Sequence, residues 1–365
     1  MKENYDLNLI KVLNEQAYNL KFGDLDVRIK PVDDAKHEGM IDPRLYPEVK
    51  NLGWLRFIPK RFLKIELKPK TLEMLRKGFD SVDSAEMVEE SLDIKTLHIR
   101  RDDTDLRMRI YRKDDSIENA PVLYFIHGGG FFAGRTEVIE EAMKLLVSRF
   151  DVVAFSLDYR LAPEHPYPVG HEDTYFGFKW VLDHASEYGG NPKNIFIGGD
   201  SAGGNFTQYC TNKALGEGVE AISGQILLYP TVNMGKVKDM YTELNFDALK
   251  PYKKHYHASQ VLINMMQSAM GMLRVILDVE DVSIWELTPY LKVRNDLPPT
   301  LMTSGEFDGL RDESIAYARK LQAHGNEVEF ILYRGLGHAF IDKVGILPQA
   351  EDFVNEMGRF IESIK

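Results

Sequence analysis

The chain has 365 residues, 44% hydrophobic and 28% charged, enough for a sizeable core in one large domain with insertions or in two domains. Its 45 basic and 56 acidic residues give a net charge of −11, which argues against nucleic acid as the main partner because phosphate binding needs a basic face. No apolar run approaches the ~20 residues that span a bilayer, and the N-terminal residues lack the basic and apolar regions of a signal peptide. The single cysteine, Cys210, excludes an internal disulfide. Together these features lead us to expect a cytoplasmic protein with no membrane span.

The first segment, residues 1–90, is predicted to be polar and helical, with breaks at Pro43, Pro47, Pro59 and Pro69. Basic residues cluster in its second half and acidic residues follow them. The basic cluster consists of Lys60, Arg61, Lys64, Lys68, Lys70, Arg76 and Lys77. This pattern favours a solvated helical face, and a site for an anionic membrane surface or for a partner is the alternative.

From residue 93 onward, strands alternate with helices. Strands are predicted at 95–101 and 106–112, on either side of a polar turn, and at 122–126, 152–156, 194–197, 225–229, 299–303 and 328–333. Helices are predicted near 136–149, 168–188, 202–216, 311–323 and 345–364. This alternation predicts an α/β fold, with a mostly parallel sheet of eight strands covered by helices on both faces.

Residues 233–288 interrupt the alternation, because they contain no convincing strand and are rich in Met, Lys and Tyr. We expect a helical insertion that folds over the top of the sheet as a cap, together with the N-terminal segment. Flexible methionines in such a cap adapt to varied apolar ligands, and ordinary core packing is the alternative. Its two histidines, His255 and His257, are expected to be exposed.

The most informative stretch is Gly-Asp-Ser-Ala-Gly at 199–203, which lies between an apolar run at 195–197 and a predicted helix. A serine on a sharp strand-to-helix turn is held exposed and strained, and small residues two positions before and after it avoid collisions. The hydroxyl of Ser201 is then free to attack a carbonyl, and the helix N-terminus favours negative charge. A plain glycine-rich turn is the alternative.

A second glycine-rich stretch, His-Gly-Gly-Gly at 127–130, follows the predicted strand 122–126 directly. Successive glycines let backbone N–H groups approach a ligand closely, and such donors can bind a developing oxyanion. The carboxyl end of a strand is also where ligands bind in α/β proteins. A flexible surface loop is the alternative.

Two further residues follow later strands. Asp308, after the strand near 299–303, could orient a histidine, although an Asp-Gly turn or a helix cap is the alternative and Asp312 is a second candidate acid. His338, in a glycine-flanked loop after strand 328–333, has a side chain suited to take a proton from Ser201 and return it to a leaving group. The chain order Ser, Asp, His is the one that the α/β-hydrolase fold requires.

With its motifs in this order along the sequence, the chain resembles the hormone-sensitive-lipase-like branch of the α/β-hydrolase esterases over about residues 95–365. The motifs that carry the resemblance lie at 127–130, 158–164 (Asp-Tyr-Arg-Leu-Ala-Pro-Glu), 199–205, 308–312 and 337–338. The resemblance implies a catalytic domain over residues 91–365. It also implies structural roles for Arg160 and Glu164, and a role for Asp200 in shaping the serine turn. The implied site residues are a triad and three oxyanion donors: Ser201, Asp308 and His338, with the N–H groups of Gly129, Gly130 and Ala202.

The predicted function is a carboxylesterase that hydrolyses small, short-chain acyl esters through an acyl-enzyme intermediate. No metal ion or cofactor is expected, because no Cys/His ligand set or phosphate-binding loop is present in the sequence. An amidase or formamidase on the same fold remains open. A non-catalytic receptor, as in plant hormone receptors that resemble this branch, is disfavoured because those lack the histidine that His338 supplies here. Esterases of this kind are often dimers, which suggests a homodimer.

Overall fold

The structure is a computed structural model that describes residues 5–6, 8–32, 34–50 and 69–364. Ten strands in this part of the chain form one sheet: β1 Tyr18–Phe22, β2 Leu25–Lys30, β3 Asp93–Arg101, β4 Thr104–Arg112, β5 Ala120–Ile126, β6 Val153–Asp158, β7 Gly190–Asp200, β8 Ile222–Leu228, β9 Thr300–Gly305 and β10 Val328–Tyr333. The α-helices are α1 Asn8–Glu15, α2 Tyr46–Val49, α3 Pro69–Phe79, α4 Glu140–Arg149, α5 Val169–His184, α6 Ala202–Gly216, α7 Tyr256–Met270, α8 Leu273–Ile276, α9 Arg311–Ala323 and α10 Pro348–Ser363. Short 3₁₀ helices cover Ala185–Tyr188, Asp247–Leu249, Pro289–Leu291 and Phe340–Lys343.

The strands follow the order β1-β2-β10-β9-β8-β7-β5-β6-β4-β3 across the sheet. From β2 to β6 all neighbours are parallel, whereas β1 is antiparallel to β2, and β4 is antiparallel to both β6 and β3. The parallel centre is the arrangement that the alternation of strands and helices predicts, and the α/β-hydrolase fold expected from the motifs is confirmed.

The sheet holds ten strands where eight were expected, because part of the N-terminal segment is not helical. Residues 18–30 form the hairpin β1–β2, in which Leu25, Val27 and Ile29 are buried and alternate with polar residues. This period of two is the pattern of a half-buried strand, and it was visible in the sequence. Gly23 makes the turn with a φ of +62°. The hairpin is completed by its parallel pairing with β10, a partner that lies about 300 residues away.

Helices cover both faces of the sheet. Successive residues of β5 pack in different clusters: Tyr124 packs with residues of α5 and α6, and Phe125 with residues of α4 and α10. Successive strand residues point to opposite faces, so α4 and α10 lie on the face opposite α5 and α6. In β10, Ile331 packs with α10 and Leu332 with α9, which places α9 on the same face as α5 and α6.

The insertion at 233–288 contains helices and no strand, and α7 contacts the loops that follow β9 and β10. A Cβ on Gly309 would lie 2.7 Å from the carbonyl oxygen of Ile263 in α7. The N-terminal segment contacts the start of α7 at His255. The Ile41 N–H donates to Nδ1 of His255 at 3.0 Å, and the ring of Tyr46 stacks on that of His255 with a centroid distance of 3.8 Å. The expectation that His255 is exposed is therefore wrong: these contacts bury it, and burial lowers its pKa.

Candidate active site

The turn after β7 holds Ser201 in a strained backbone conformation. Its φ is +55°, a value that costs a non-glycine residue free energy and persists only where the surroundings impose it. Two glycines make the turn possible. A Cβ on Gly203 would lie 1.9 Å from the carbonyl oxygen of Ile126, and one on Gly199 would lie 2.5 Å from the backbone of Gly203. The serine is thereby fixed between the end of β7 and the start of α6.

Ser201, His338 and Asp308 form one hydrogen-bonded chain. Nε2 of His338 lies 2.8 Å from Oγ of Ser201, and Nδ1 lies 2.8 Å from Oδ2 of Asp308. Ser201 and Asp308 are buried, and the His338 side chain is 15% exposed. A carboxylate can only accept a hydrogen bond, so the neutral imidazole carries its proton on Nδ1, and Nε2 is left to accept the serine proton. The structure thus brings together the three residues predicted as a triad.

The parallel sheet explains how residues from distant parts of the chain meet. Asp308 follows β9 and His338 follows β10, and these neighbouring strands end at the same edge of the sheet as β7. The second carboxylate oxygen of Asp308 accepts the N–H of Leu310 at 2.8 Å, which fixes the orientation of the carboxylate. The ring of Tyr229 packs beside the imidazole of His338 at a centroid distance of 4.7 Å.

Burial and charge act in opposite directions on the pKa of His338. Burial lowers the pKa because it removes the imidazolium from water, whereas the charge and hydrogen bond of Asp308 raise it. The net pKa lies above the ordinary value of 6.5. Asp200 and Glu313 raise it in the same direction. The site therefore stabilises the protonated imidazole that forms when Ser201 gives up its proton.

The glycine-rich loop after β5 offers free backbone donors. Gly129, Gly130 and Phe131 have φ values of +113°, +60° and +67°. Neither Gly129 nor Gly130 donates its N–H to another residue in the described ranges. Gly129 lines the same cavity as Ser201 and His338, and Ala202 directly follows the serine as the first residue of α6. Unpaired donors of this kind suit an anionic oxygen.

Two carboxyl groups lie near the serine, the buried Asp200 and the half-buried Asp342. Asp200 accepts the N–H of Gly128 on Oδ1 at 2.7 Å and so ties the glycine-rich loop to the serine turn, and burial raises the pKa of Asp200 to about 6. Asp342 lines the cavity, and its buried Oδ1 has no hydrogen-bond partner among the described residues. Burial raises the pKa of Asp342 well above its ordinary value. A role in shaping the serine turn was expected for Asp200, and its observed hydrogen bond is to the glycine-rich loop. No sequence pattern pointed to Asp342.

The cavity beside the serine has a volume of about 30 Å³. Among the described residues its lining includes three apolar side chains that the sequence did not single out, Phe79, Val138 and Ile139. The amphipathic pattern of residues 69–79 was the available signal for Phe79. The other lining residues are His127, Gly128, Gly129, Gly134, Asp200, Ser201, His338, Ala339 and Asp342.

Asp312 and Cys210 lie away from the reacting groups. Asp312, the second candidate acid, forms an ion pair with Arg311 and its side chain is 61% exposed, so Asp308 is the carboxylate beside His338. Cys210 is buried, and burial raises the pKa of its thiol to about 12, which makes it an unreactive structural residue.

The two residues implied to be structural pair with side chains of two helices. Arg160 donates to both carboxylate oxygens of Asp173, at 2.8 and 2.7 Å. Glu164 pairs with Arg76 of α3. Arg76 therefore does not lie on a solvated helical face, as the basic cluster had suggested. Four members of that cluster lie outside the described residues: Lys60, Arg61, Lys64 and Lys68.

Within the ranges that the structure covers, no group of three or more His, Cys, Asp or Glu side chains is arranged to hold a metal ion. No helix in these described ranges has the length and apolar character that crossing a bilayer requires.

Comparison with known proteins places this geometry in a family. Residues 123–342 match the model of the α/β-hydrolase fold. Carboxylesterase NlhH of Mycobacterium tuberculosis is 30% identical over 264 residues, which cover 72% of this chain and 78% of that protein. A thermostable carboxylesterase from a metagenomic library shares 27% identity with a TM-score of 0.67, over 80% of this chain and 98% of its own. A hyperthermophilic esterase from the archaeon Pyrobaculum calidifontis shares 25% identity with a TM-score of 0.71, over 89% of this chain and 98% of its own. This chain belongs to the α/β-hydrolase family, in its hormone-sensitive-lipase-like branch.

Proposed function

We propose roles for individual residues of this serine carboxylesterase: Ser201 is the nucleophile, His338 is the general base, and Asp308 orients the imidazole. The observation that carries the proposal is the chain of two 2.8 Å contacts from Ser201 through His338 to Asp308. It lies at the carboxyl edge of the sheet in a chain whose relatives include carboxylesterases.

Acylation begins when Oγ of Ser201 attacks the ester carbonyl carbon while Nε2 of His338 accepts its proton. Asp308 stabilises the imidazolium, in accord with the raised pKa of His338. The tetrahedral oxyanion accepts hydrogen bonds from three backbone N–H groups, those of Gly129, Gly130 and Ala202. The imidazolium then gives its proton to the alcohol oxygen, the bond from carbon to that oxygen breaks, and an acyl-enzyme remains.

Deacylation repeats these steps with water as the nucleophile. His338 takes a proton from the water, the hydroxide oxygen adds to the acyl carbon, and the same donors hold the oxyanion. Collapse of the intermediate returns the proton to Oγ of Ser201 and releases the carboxylic acid. The cycle balances with side chains and water alone, so we propose that no metal ion or cofactor takes part.

The substrates we propose are small, short-chain acyl esters. The carboxylesterases among the chain's relatives support an ester substrate, and the apolar side chains that line the cavity beside the serine favour an apolar acyl group. The N-terminal segment, residues 1–90, and the insertion at 233–288 are proposed to form a cap over the catalytic domain, residues 91–365. The contacts of α7 with the loops after β9 and β10 support that arrangement.

The setting of the enzyme is also a proposal. The net charge of −11 supports a protein without a nucleic-acid partner, and the single cysteine supports a cytoplasmic location. Family resemblance supports a homodimer, which sedimentation velocity measures directly.

The test is hydrolysis of p-nitrophenyl esters from acetate to laurate by the wild type and by Ser201→Ala. We expect fast turnover of the short esters, a decline with acyl length, and loss of nearly all turnover in the variant. Matched esters and anilides of one acyl group separate an esterase from an amidase. A folded wild-type protein that turns over none of the esters, or a Ser201→Ala variant that keeps its activity, would contradict the proposal.

A further inference from the structure

The glycine-rich loop that carries the candidate oxyanion donors is strained. Positive φ values at Gly129, Gly130 and Phe131 follow one another, and Gly134 adds a φ of +90°. Phe131 has a Cβ, so its conformation costs free energy and persists only where neighbouring groups impose it. The positions of the free N–H groups of Gly129 and Gly130 therefore depend on what holds this loop.

The first half of the loop is held from within the catalytic domain. Asp200 accepts the N–H of Gly128 at 2.7 Å, and the Tyr159 hydroxyl donates to the carbonyl oxygens of His127 and Gly128 at 3.0 and 3.3 Å. These contacts fix the loop as far as the first glycine. They leave the outer half, residues 131–134, to other partners.

Helix α3 and Asp80, the residue directly after it, supply those partners from the N-terminal segment. Nε of Arg76 donates to the carbonyl oxygen of Phe132 at 2.6 Å, and Oδ1 of Asp80 accepts the N–H of Gly134 at 2.8 Å. The two residues lie one helical turn apart, and the Asp80 N–H donates to the Arg76 carbonyl at 2.7 Å. Both groups thus reach the loop from one rigid turn of backbone.

The Arg76 guanidinium is itself fixed by several partners. It donates to the carbonyl oxygen of Ala162 at 3.0 Å and pairs with both carboxylate oxygens of Glu164. The hydrogen bond from Arg76 lowers the pKa of Glu164. The Ala162 N–H in turn donates to the carbonyl oxygen of Phe131, so Arg76 and the loop at 162–164 form one connected network around the strained residue.

The same helix reaches the catalytic cavity. Phe79 lies between the two polar anchors in sequence, packs edge-on against Phe132 at 5.2 Å, and lines the cavity beside Ser201. A Cβ on Gly130 would lie 3.0 Å from the Phe132 ring, so that ring is packed against the loop as well. Movement of α3 would therefore be transmitted to the oxyanion donors.

We propose that the end of α3 is the positioning element of the oxyanion hole, where Arg76 in the helix and Asp80 directly after it hold the outer half of the glycine-rich loop. This inference rests on the proposed function, since it assigns the loop donors to the oxyanion. Arg76 and Asp80 touch no reacting atom. They act through the loop, so their loss should weaken binding of the transition state and leave binding of the ground-state ester nearly unchanged.

The test compares Asp80→Ala with Asp80→Asn, which keeps an oxygen acceptor, and Arg76→Met with Arg76→Lys. Lys77→Ala is the matched control, because Lys77 lies on the same helix in an exposed ion pair with Glu73. For each variant, kcat and KM for p-nitrophenyl acetate are measured after titration of active serine with a phosphonate, together with the inhibition constant of a trifluoromethyl ketone. Titration removes any contribution of misfolded protein to kcat.

We expect Asp80→Ala and Arg76→Met to lower kcat by about tenfold with KM within threefold, part of the ~10²-fold effect of losing one oxyanion donor. The ketone, which forms an oxyanion on the enzyme, should lose affinity by a similar factor. Asp80→Asn should recover most of both losses, and Lys77→Ala should match the wild type. Wild-type values of kcat and ketone affinity in both Asp80→Ala and Arg76→Met would overturn the inference. An inactive wild type would instead refute the proposed function.

Discussion

Substitution of Gly203 by alanine tests whether close backbone approach builds the serine turn. The new Cβ would lie 1.9 Å from the carbonyl oxygen of Ile126 and 2.9 Å from that of His127. Both obstacles are backbone atoms at the end of β5, so no side-chain rotation relieves the collision. Ordinary contact begins near 3.4 Å, and the helix start and β5 must therefore separate by about 1.5 Å.

That displacement should lower both the free energy of unfolding and the rate of catalysis. Overpacking that collides with backbone atoms should lie at the upper end of the usual range for overpacked cores. We expect the variant to lose about 3 kcal/mol of unfolding free energy. Ser201 precedes Gly203 by two residues, and the loop that starts at His127 carries the oxyanion donors, so both halves of the site shift. A misplacement of about 1 Å costs on the order of 10²-fold in rate, and we expect a loss of that size in kcat/KM.

The matched control is Gly216→Ala, the same chemical change at the other end of α6. A Cβ there meets no atom within 4 Å, so alanine should stabilise the fold by about 0.5 kcal/mol through its lower unfolded-state entropy. Urea unfolding and kcat/KM for p-nitrophenyl acetate are measured on both variants. A Gly203→Ala protein with wild-type stability and rate would refute the close-approach explanation, whatever the control does.

Two further predictions concern protons. Because the pKa of His338 is raised and only the neutral imidazole accepts the Ser201 proton, kcat/KM of the wild type should fall on the acid side with a midpoint above the ordinary 6.5. In Asp308→Asn the rate should drop by about 10⁴-fold. The midpoint should also move to lower pH, because burial still lowers the pKa of His338 while the Asp308 charge that raises it is lost. An unmoved midpoint would show that Asp308 does not raise the pKa of His338. His171, whose pKa burial lowers to about 4, stays neutral in the fold while the unfolded state takes up a proton near pH 6.5. Stability should therefore fall by about 3 kcal/mol between pH 6.5 and pH 4 from this residue, and urea unfolding of His171→Phe should show a correspondingly weaker pH dependence; equal dependence in both proteins would contradict this.

The parts of the site that depend on local backbone geometry were predictable from the sequence. Glycines around Ser201 and at 129–130 are needed for positive φ and close approach, requirements that leave a readable pattern. Strand ends predicted the loops that carry Asp308 and His338, because alternating strands and helices imply a parallel sheet whose carboxyl ends share one edge.

What escaped prediction depends on partners far away in the chain. Arg76 looked like one member of a solvated basic cluster, since nothing local shows that its partner is a backbone carbonyl 56 residues further on. His255 is buried against the N-terminal segment. The N–H that donates to its ring belongs to Ile41, which lies more than 200 residues earlier in the chain. Asp342 lies in the short 3₁₀ helix Phe340–Lys343, where no sequence motif marks it, and only the fold brings its carboxyl group to the cavity.

The pairing of β2 with β10 also bears on how the chain reaches its native state. Val27 is made about 300 residues before its partner Phe330, so this contact can form only after nearly all of the described chain has been synthesised. Until then β2, whose residues Leu25, Val27 and Ile29 are buried in the finished fold, has no parallel partner and presents an apolar edge. Exposed apolar edges template aggregation. Pairing with β10 covers that edge, and the outer strand of the hairpin, which carries the exposed Lys21, becomes the edge of the finished sheet. A charged lysine on an edge strand opposes self-association.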